Sequence, residues 1–219
     1  MEAVIFDLDN TLYDVEQYFK GSFIEISQYL SEKCLYHPNE IYEISMNLWK
    51  EKTSMYPFLF NDLLIILEID QKYLNNVIGL FNEYEGSIFP YNDTIPTLNK
   101  LKDDGYFLGI LTDGNPERQK RKIEKLNIES YFDVIIYAKN IAPKPSKDPY
   151  LNVLNKFGFK GLDVLYVGDN PKLDFEGAKK VDMITARILK GEFAKFPSNS
   201  WIDYEIKNLK EIEGIVSNV

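Results

Sequence analysis

Two carboxylates one residue apart close the first apolar run of the chain, where Val4-Ile5-Phe6 leads into Asp7-Leu8-Asp9-Asn10-Thr11. Strand ends in parallel sheets are where ligands bind, so the pair is a candidate for reactive or ligand-holding groups. A turn whose aspartates solvate their own backbone gives the same dipeptide spacing. Two further segments favour chemistry over a turn. Gly109-Ile110-Leu111-Thr112-Asp113-Gly114 ends a second apolar run with a hydroxyl and a tight glycine turn, and Val167-Gly168-Asp169-Asn170 ends another with a further carboxylate. A sheet that delivers polar groups to one edge from several strands resembles an active site more than a set of coincident turns.

The elements that must position these groups follow from patterning. Short runs rich in valine and isoleucine at 3–6, 107–111, 134–137, 164–167 and 183–186 alternate with helical patterns, as in a parallel sheet with crossover helices. Between them, Ile95, Leu98 and Leu101, and again Leu151, Leu154 and Phe157, keep the three-and-four spacing of a buried helix face. Gly158 is placed to stop the second of these helices at positive φ. Asn115 and Pro116 are placed to open another, as N-cap and first helical residue. The tail predicts an edge strand through Trp201, Ile202, Tyr204 and Ile206, then a helix through Leu209, Ile212 and Val216.

Residues 15–90 break this alternation with four helical stripes and no strand: Phe19, Phe23, Ile26 and Leu30; Ile41, Ile44 and Leu48; Leu63, Ile66 and Leu67; and Leu74, Val77, Ile78 and Phe81. The expected class is α/β, with a Rossmann-like parallel sheet core, helices on both faces, and a small α-helical domain inserted into it. The core is predicted to comprise residues 1–14 and 91–219, and the insertion residues 15–90. Its aromatic stripes read as the core of a helical bundle.

In order along the chain, Asp7-Leu8-Asp9-Asn10-Thr11, Thr112-Asp113-Gly114, Lys144-Pro145 and Gly168-Asp169-Asn170-Pro171-Lys172-Leu173-Asp174 resemble the four motifs of the haloacid dehalogenase superfamily. The likeness is to subfamily I, whose α-helical cap follows the first motif and closes over the active site, and it covers nearly the whole chain. It implies that Asp7 attacks phosphorus and becomes an aspartyl phosphate. Asp9 then acts first as general acid and afterwards as general base. The implied cofactor is Mg2+, held by Asp7, Asp9 (through its backbone carbonyl) and Asp169; such an ion takes oxygen ligands, so no histidine is required. Thr112, with the amides around Asp113 and Gly114, and Lys144 would bind the substrate phosphate. Asp174 and Asn170 would support the metal site from behind, through water or Lys144. Lys147 competes with Lys144, which is preferred as the lysine of the Lys-Pro pair.

The residue 9 carboxylate argues for phosphoryl chemistry, because a dehalogenase has no alkoxide to protonate. The implied enzyme is a phosphatase acting on a small phosphorylated metabolite: a sugar phosphate, a phospho-acid or a nucleoside monophosphate. A phosphomutase, and a catalytically silent module that binds a phospho-ligand or a protein, stand as alternatives. Tyr13, Tyr18 and Lys20 either line the cleft or pack.

Composition narrows the partners. The 219 residues carry 34 acidic against 25 basic side chains, a net charge of −9, so the chain as a whole repels nucleic acid. The basic residues Arg118, Lys120, Arg121, Lys122 and Lys125 accordingly read as a solvated helix face. One cysteine, Cys34, read as a packing residue on a helix, and one histidine, His37, read as a cap or surface residue, provide neither a disulfide nor a zinc cluster. With no secretory signal and no apolar run of membrane-spanning length, the expectation is a soluble, cytoplasmic protein with no membrane partner. Monomer and homodimer are equally compatible with the sequence.

Overall fold

A computed structural model of the protein describes residues 1–217. In chain order the elements are β1 (Ala3–Phe6), α1 (Glu16–Ser31), α2 (Pro38–Lys52), α3 (Leu59–Ile66), α4 (Leu74–Asn82), α5 (Thr94–Asp103), β2 (Phe107–Thr112), α6 (Pro116–Lys125), β3 (Val134–Tyr137), α7 (Asp148–Phe157), β4 (Val164–Gly168), α8 (Phe175–Lys179), β5 (Ile184–Ile188), β6 (Tyr204–Ile206) and α9 (Ile212–Ser217). They form two units, one of Met1–Val15 with Ile88–Val219 and the other of Glu16–Ser87.

In the first unit six strands make one parallel sheet, ordered β3-β2-β1-β4-β5-β6, with helices on both faces. Chain order runs outward from β1 in both directions, so the carboxyl ends of β1 and β4 meet where the winding reverses, the place such sheets reserve for ligands. Ala3, Ile5, Leu111, Ile136, Val164 and Tyr166 share one buried layer with Tyr150, Val153 and Leu154 of α7 and Phe175 and Ala178 of α8. The alternate residues Val4, Phe6, Leu108, Ile110, Leu165 and Val167 are also fully buried. A sheet covered on both sides explains why its strands are continuous apolar runs.

Local signals act as their chemistry requires. Asn115 accepts from the Arg118 amide at 3.1 Å and opens α6 at Pro116. Gly158 ends α7 at φ 72°. Ile206 closes the edge strand, which begins only at Tyr204, so Trp201 and Ile202 lie before it.

The second unit is helical, α1 to α4. Its interior is aromatic: Phe19 stacks on Trp49 with centroids 4.5 Å apart, and Phe81 meets Phe19 and Phe60 at 5.1 Å. Tyr18 donates to the Phe81 carbonyl at 2.6 Å and packs edge-on to Tyr84, so it is a core residue of this unit. Lys20 is an exposed side chain paired with Glu16. His37 caps α2, accepting from the Asn39 amide while Glu40 accepts from the His37 amide. Two predicted stripes need correcting. Ile66 and Ile78 are exposed, and Leu59, Leu63, Leu64 and Leu67, with Val77 and Phe81, do the burying. Cys34 is not on a helix; it lies in the turn after α1, its thiol on the Leu30 carbonyl. Among the described residues no helix is long and apolar enough to cross a membrane.

Candidate active site

Four chain segments reach the carboxyl edge of the sheet. Asp7 follows β1, its amide still paired to the Val167 carbonyl at 2.8 Å. Thr112 ends β2, Lys144 lies in the loop between β3 and α7, and Asp169, Asn170 and Asp174 follow β4. Lys144 is buried and its ammonium ties its own loop to the segments of β1 and β4, contacting Asp7 Oδ1 and Asp174 Oδ1 at 2.6 Å each and the Tyr166 hydroxyl at 3.1 Å. Its backbone is set by Asp113, whose carboxylate accepts the Lys144 amide at 2.9 Å. Lys147 is exposed, so the structure places Lys144 and not Lys147 among the carboxylates.

Asp7, Asp169 and Asp174 are all buried, and each offers an oxygen within 4.8 Å of the others. Three carboxylates against one ammonium leave two formal negative charges in a desolvated spot, an arrangement unfavourable by itself. Burial, opposed by Lys144, pushes the Asp7 carboxyl up to about 8. Burial, together with the charges of Asp174 and Asp7, drives Asp169 well above the usual range. Asp169 Oδ2 is buried without a hydrogen-bond partner, whereas both Asp174 oxygens are engaged, Oδ1 by Lys144 and Tyr166 and Oδ2 by the Asn170 amide at 2.8 Å. Carboxyl oxygens crowded within 4.8 Å of one another, one of them bare, fit a hard divalent cation, which would displace the protons that burial otherwise holds there. Asp7 and Asp169 are the groups with oxygen to offer, and Asp174 serves chiefly to hold Lys144. Asn170 turns its side-chain oxygen to the Lys172 amide at 3.0 Å, which shapes the loop.

Two glycines make this packing possible. Gly114 sits at φ 106°, a region that L side chains rarely adopt. A Cβ on Gly168 would lie 2.6 Å from the Asp174 carboxyl. Gly168→Ala is therefore expected to lower stability by about 1–3 kcal/mol through overpacking and, if the carboxyl cluster takes up a divalent cation, to reduce the stabilisation that cation gives. Thermal unfolding with and without Mg2+ checks both.

Asp9 takes a different direction from Asp7. Tyr13 donates to its Oδ1 at 2.5 Å, Lys122 reaches the same oxygen at 2.7 Å, and Gln119 Nε2 donates to Oδ2 at 2.9 Å. Burial works against its charge, yet the Lys122 ammonium and the three hydrogen bonds hold the carboxyl below its ordinary value. Burial brings Lys122 down to about 8 against the pull of Asp9. The reading of Lys122 as part of a solvated face is thus corrected, since its side chain is 3% exposed and faces Asp9, whereas Lys120 is exposed as expected. Pro116–Lys125 contains a single strongly apolar residue, Ile123, so the inward face of α6 had to be completed by polar side chains, and Gln119 and Lys122 stand four and one residues before it. That pattern was a usable signal. Tyr166 and Arg187 carried no comparable one. Arg187 is fully buried in β5, where it donates to the carbonyls of Phe193 at 2.6 Å, Phe196 at 3.0 Å and Asp169 at 3.4 Å.

The family profile of the haloacid dehalogenase-like hydrolases matches residues 4–188, spanning every segment of this site. The chain belongs to that family. As a haloacid dehalogenase-like hydrolase it is similar along its whole length to a glyceraldehyde 3-phosphate phosphatase of Methanocaldococcus jannaschii, with 32% identity covering 100% of this chain and 98% of that one. It is 26% identical to a phosphoglycolate phosphatase of Aquifex aeolicus over 87% of this chain and 86% of the other. The crystal structure of a HAD phosphatase from Thermococcus onnurineus superposes with a TM-score of 0.71 at 28% identity, covering 99% and 98% of the two chains. The gathered carboxylates, lysine and threonine all lie within the stretch that matches this hydrolase family, and the similar relatives named above bear phosphatase names.

Proposed function

We propose that this haloacid dehalogenase-like hydrolase is a magnesium-dependent phosphatase of small phosphorylated metabolites, with Asp7 as nucleophile and Asp9 as acid and base. The observation that carries the reading is the convergence of Asp7, Lys144, Asp169 and Asp174 at the carboxyl edge of the sheet, with a buried oxygen of Asp169 left without a partner. The names of the relatives favour a compact phosphomonoester as substrate. The position of the helical unit in the chain, between the first and second acidic segments, supports reading it as the part that discriminates among such compounds. No observation favours a mutase or a silent binding module.

Asp7 and Asp169, with the Asp9 carbonyl, would hold Mg2+, which supplies positive charge against the phosphate oxygens and the nucleophile. Thr112 and the Asp113 and Gly114 amides seat non-bridging oxygens, and Lys144 adds its charge to them. An Asp7 oxygen then bonds to phosphorus as the ester P–O bond breaks. The electron pair leaves with the ester oxygen, which takes a proton from Asp9. In the second half Asp9 accepts a proton from water as the water oxygen attacks phosphorus, and the bond to Asp7 breaks to release phosphate. The donors around Asp9 favour the carboxylate this second half needs. The negative charge of an arriving phosphate raises its affinity for the proton the first half needs.

A panel of sugar phosphates, phospho-acids and nucleoside monophosphates, assayed for phosphate release, tests the reading. Turnover of at least one member that is lost on chelation and restored by Mg2+ is expected, and absence of turnover across the panel with Mg2+ present contradicts it. The ionisation of Asp7 adds a second expectation. Its proton is held up to about 8 in the folded metal-free protein, against 3.8 ordinarily. The folded state therefore binds the extra proton, and the contribution of Asp7 to stability is full below about 4 and lost as pH rises to about 8. The melting temperature of metal-free wild type minus that of Asp7→Asn should fall across this window, and saturating Mg2+ should remove the decline. A flat difference would show that Asp7 is not held protonated.

A further inference from the structure

We propose that Gln119 and Lys122 are positioning residues that hold the Asp9 carboxyl against the departing ester oxygen and tie it to the phosphate seat at Thr112; this rests on the reading of Asp9 as acid and base. Asp9 stands on a loop, beside Asn10 at φ 56°, with its side chain 30% exposed. Such a carboxyl is free to turn unless its oxygens are held, and a general acid works only within hydrogen-bond reach of the atom it protonates. Both oxygens are held. Lys122 and Tyr13 take Oδ1, and Gln119 takes Oδ2.

The second contact of Gln119 gives the arrangement its meaning. The same Nε2 that donates to Asp9 also donates to Thr112 Oγ1 at 2.7 Å. A hydroxyl that accepts at its oxygen keeps its own proton to give, and the alternative acceptor, the Asp113 carbonyl, is 3.4 Å away. Gln119 thereby aims the Thr112 proton at a non-bridging phosphate oxygen while fixing the carboxyl that serves the bridging one. Gln119 is fully buried, and its Oε1 has no hydrogen-bond partner among the described residues, so the side chain is committed to this bridge. Lys122 lies one helical turn further along α6 on the same face, and its buried ammonium opposite Oδ1 gives the clamp its charge.

A strut that merely fastens α6 to the loop after β1 would slow all substrates alike, whereas a clamp on the acid matters in proportion to how badly the leaving oxygen needs a proton. The test is kcat/KM at saturating Mg2+ for an alkyl phosphate and a graded series of aryl phosphates, in wild type, Asp9→Asn, Lys122→Met and Gln119→Leu. For Lys122→Met we expect a loss on the order of 10²-fold with the alkyl phosphate and no more than about fivefold with dinitrophenyl phosphate, whose leaving group needs no acid; Gln119→Leu, which also releases Thr112, should slow every substrate, and the alkyl phosphate by about 20-fold more than dinitrophenyl phosphate. Equal losses across the series, or no loss, with Asp9→Asn showing the selective pattern, would overturn the clamp and leave the role of Asp9 standing. An Asp9→Asn profile without leaving-group selectivity would instead remove the acid itself. Should Lys122→Met fail to fold, Gln119→Leu, which alters no charge, decides by the same criterion.

Discussion

Asp7→Asn protein is expected to fold as wild type does and to hydrolyse phosphomonoesters at least ~10⁴-fold more slowly, the scale of loss when a covalent nucleophile is removed. Asparagine keeps the size and most of the hydrogen bonding of the aspartate, so Lys144 retains an oxygen to donate to and the sheet edge keeps its packing. What disappears is the oxygen proposed as the nucleophile and one of the carboxyls proposed to hold the cation. Steady-state turnover of the best substrate of the panel, measured beside thermal unfolding, checks the expectation. Residual activity within tenfold of wild type would mean that water attacks phosphorus directly and Asp7 only supports the metal.

Lys144→Met should have the largest effect on stability. The ammonium lies 2.6 Å from Asp7 and from Asp174, all three groups buried, and burial is outweighed by the two carboxylates in holding its pKa well above the ordinary value. Removing it leaves Asp7, Asp169 and Asp174 together without a cation, and stripping one partner from a buried pair costs about 3–5 kcal/mol. For a chain of this size that is a fall in melting temperature of roughly 10 °C. The loss should shrink with Mg2+. An unchanged melting temperature in metal-free buffer at neutral pH would show that the ammonium does not hold the cluster together. Turnover should fall as well, by about 10²-fold or more, as the charge proposed to face the phosphate goes.

The parts of the fold that were legible in the sequence are those where one physical demand dominates. Strands covered on both faces must be apolar throughout, which is why β1, β2 and β4 stood out as uninterrupted runs, and Asn115, Pro116 and Gly158 announce helix ends through backbone chemistry alone. The acidic segments were legible because several strands deliver polar groups to the same edge of the sheet, which turns that each solvate their own backbone do not require. Lys122 was hidden by a whole-chain argument applied locally: net charge says what the surface attracts, and says nothing about which face of α6 points inward. Ile66 and Ile78 were misplaced because short helices with apolar residues on several sides do not declare one buried stripe. Tyr166 lies amid a strand whose every residue is buried, and only the neighbourhood of Lys144 and Asp174 shows that its hydroxyl, and not just its ring, is in use.

The network around Asp9 also explains why the site cannot be understood from its acidic residues alone. Two aspartates one residue apart have opposite surroundings, Asp7 desolvated among like charges and Asp9 held by three donors. Such a split suits one pair of identical side chains to the two roles proposed for them.

Rapid quenching of a reaction with radiolabelled substrate, followed by peptide mapping, examines the proposed nucleophile itself. Acid-stable label on the peptide containing Asp7, formed and lost at rates that match turnover and absent from Asp7→Asn, is the predicted result. Brisk hydrolysis with no covalent label, or label settling on another residue, would contradict it.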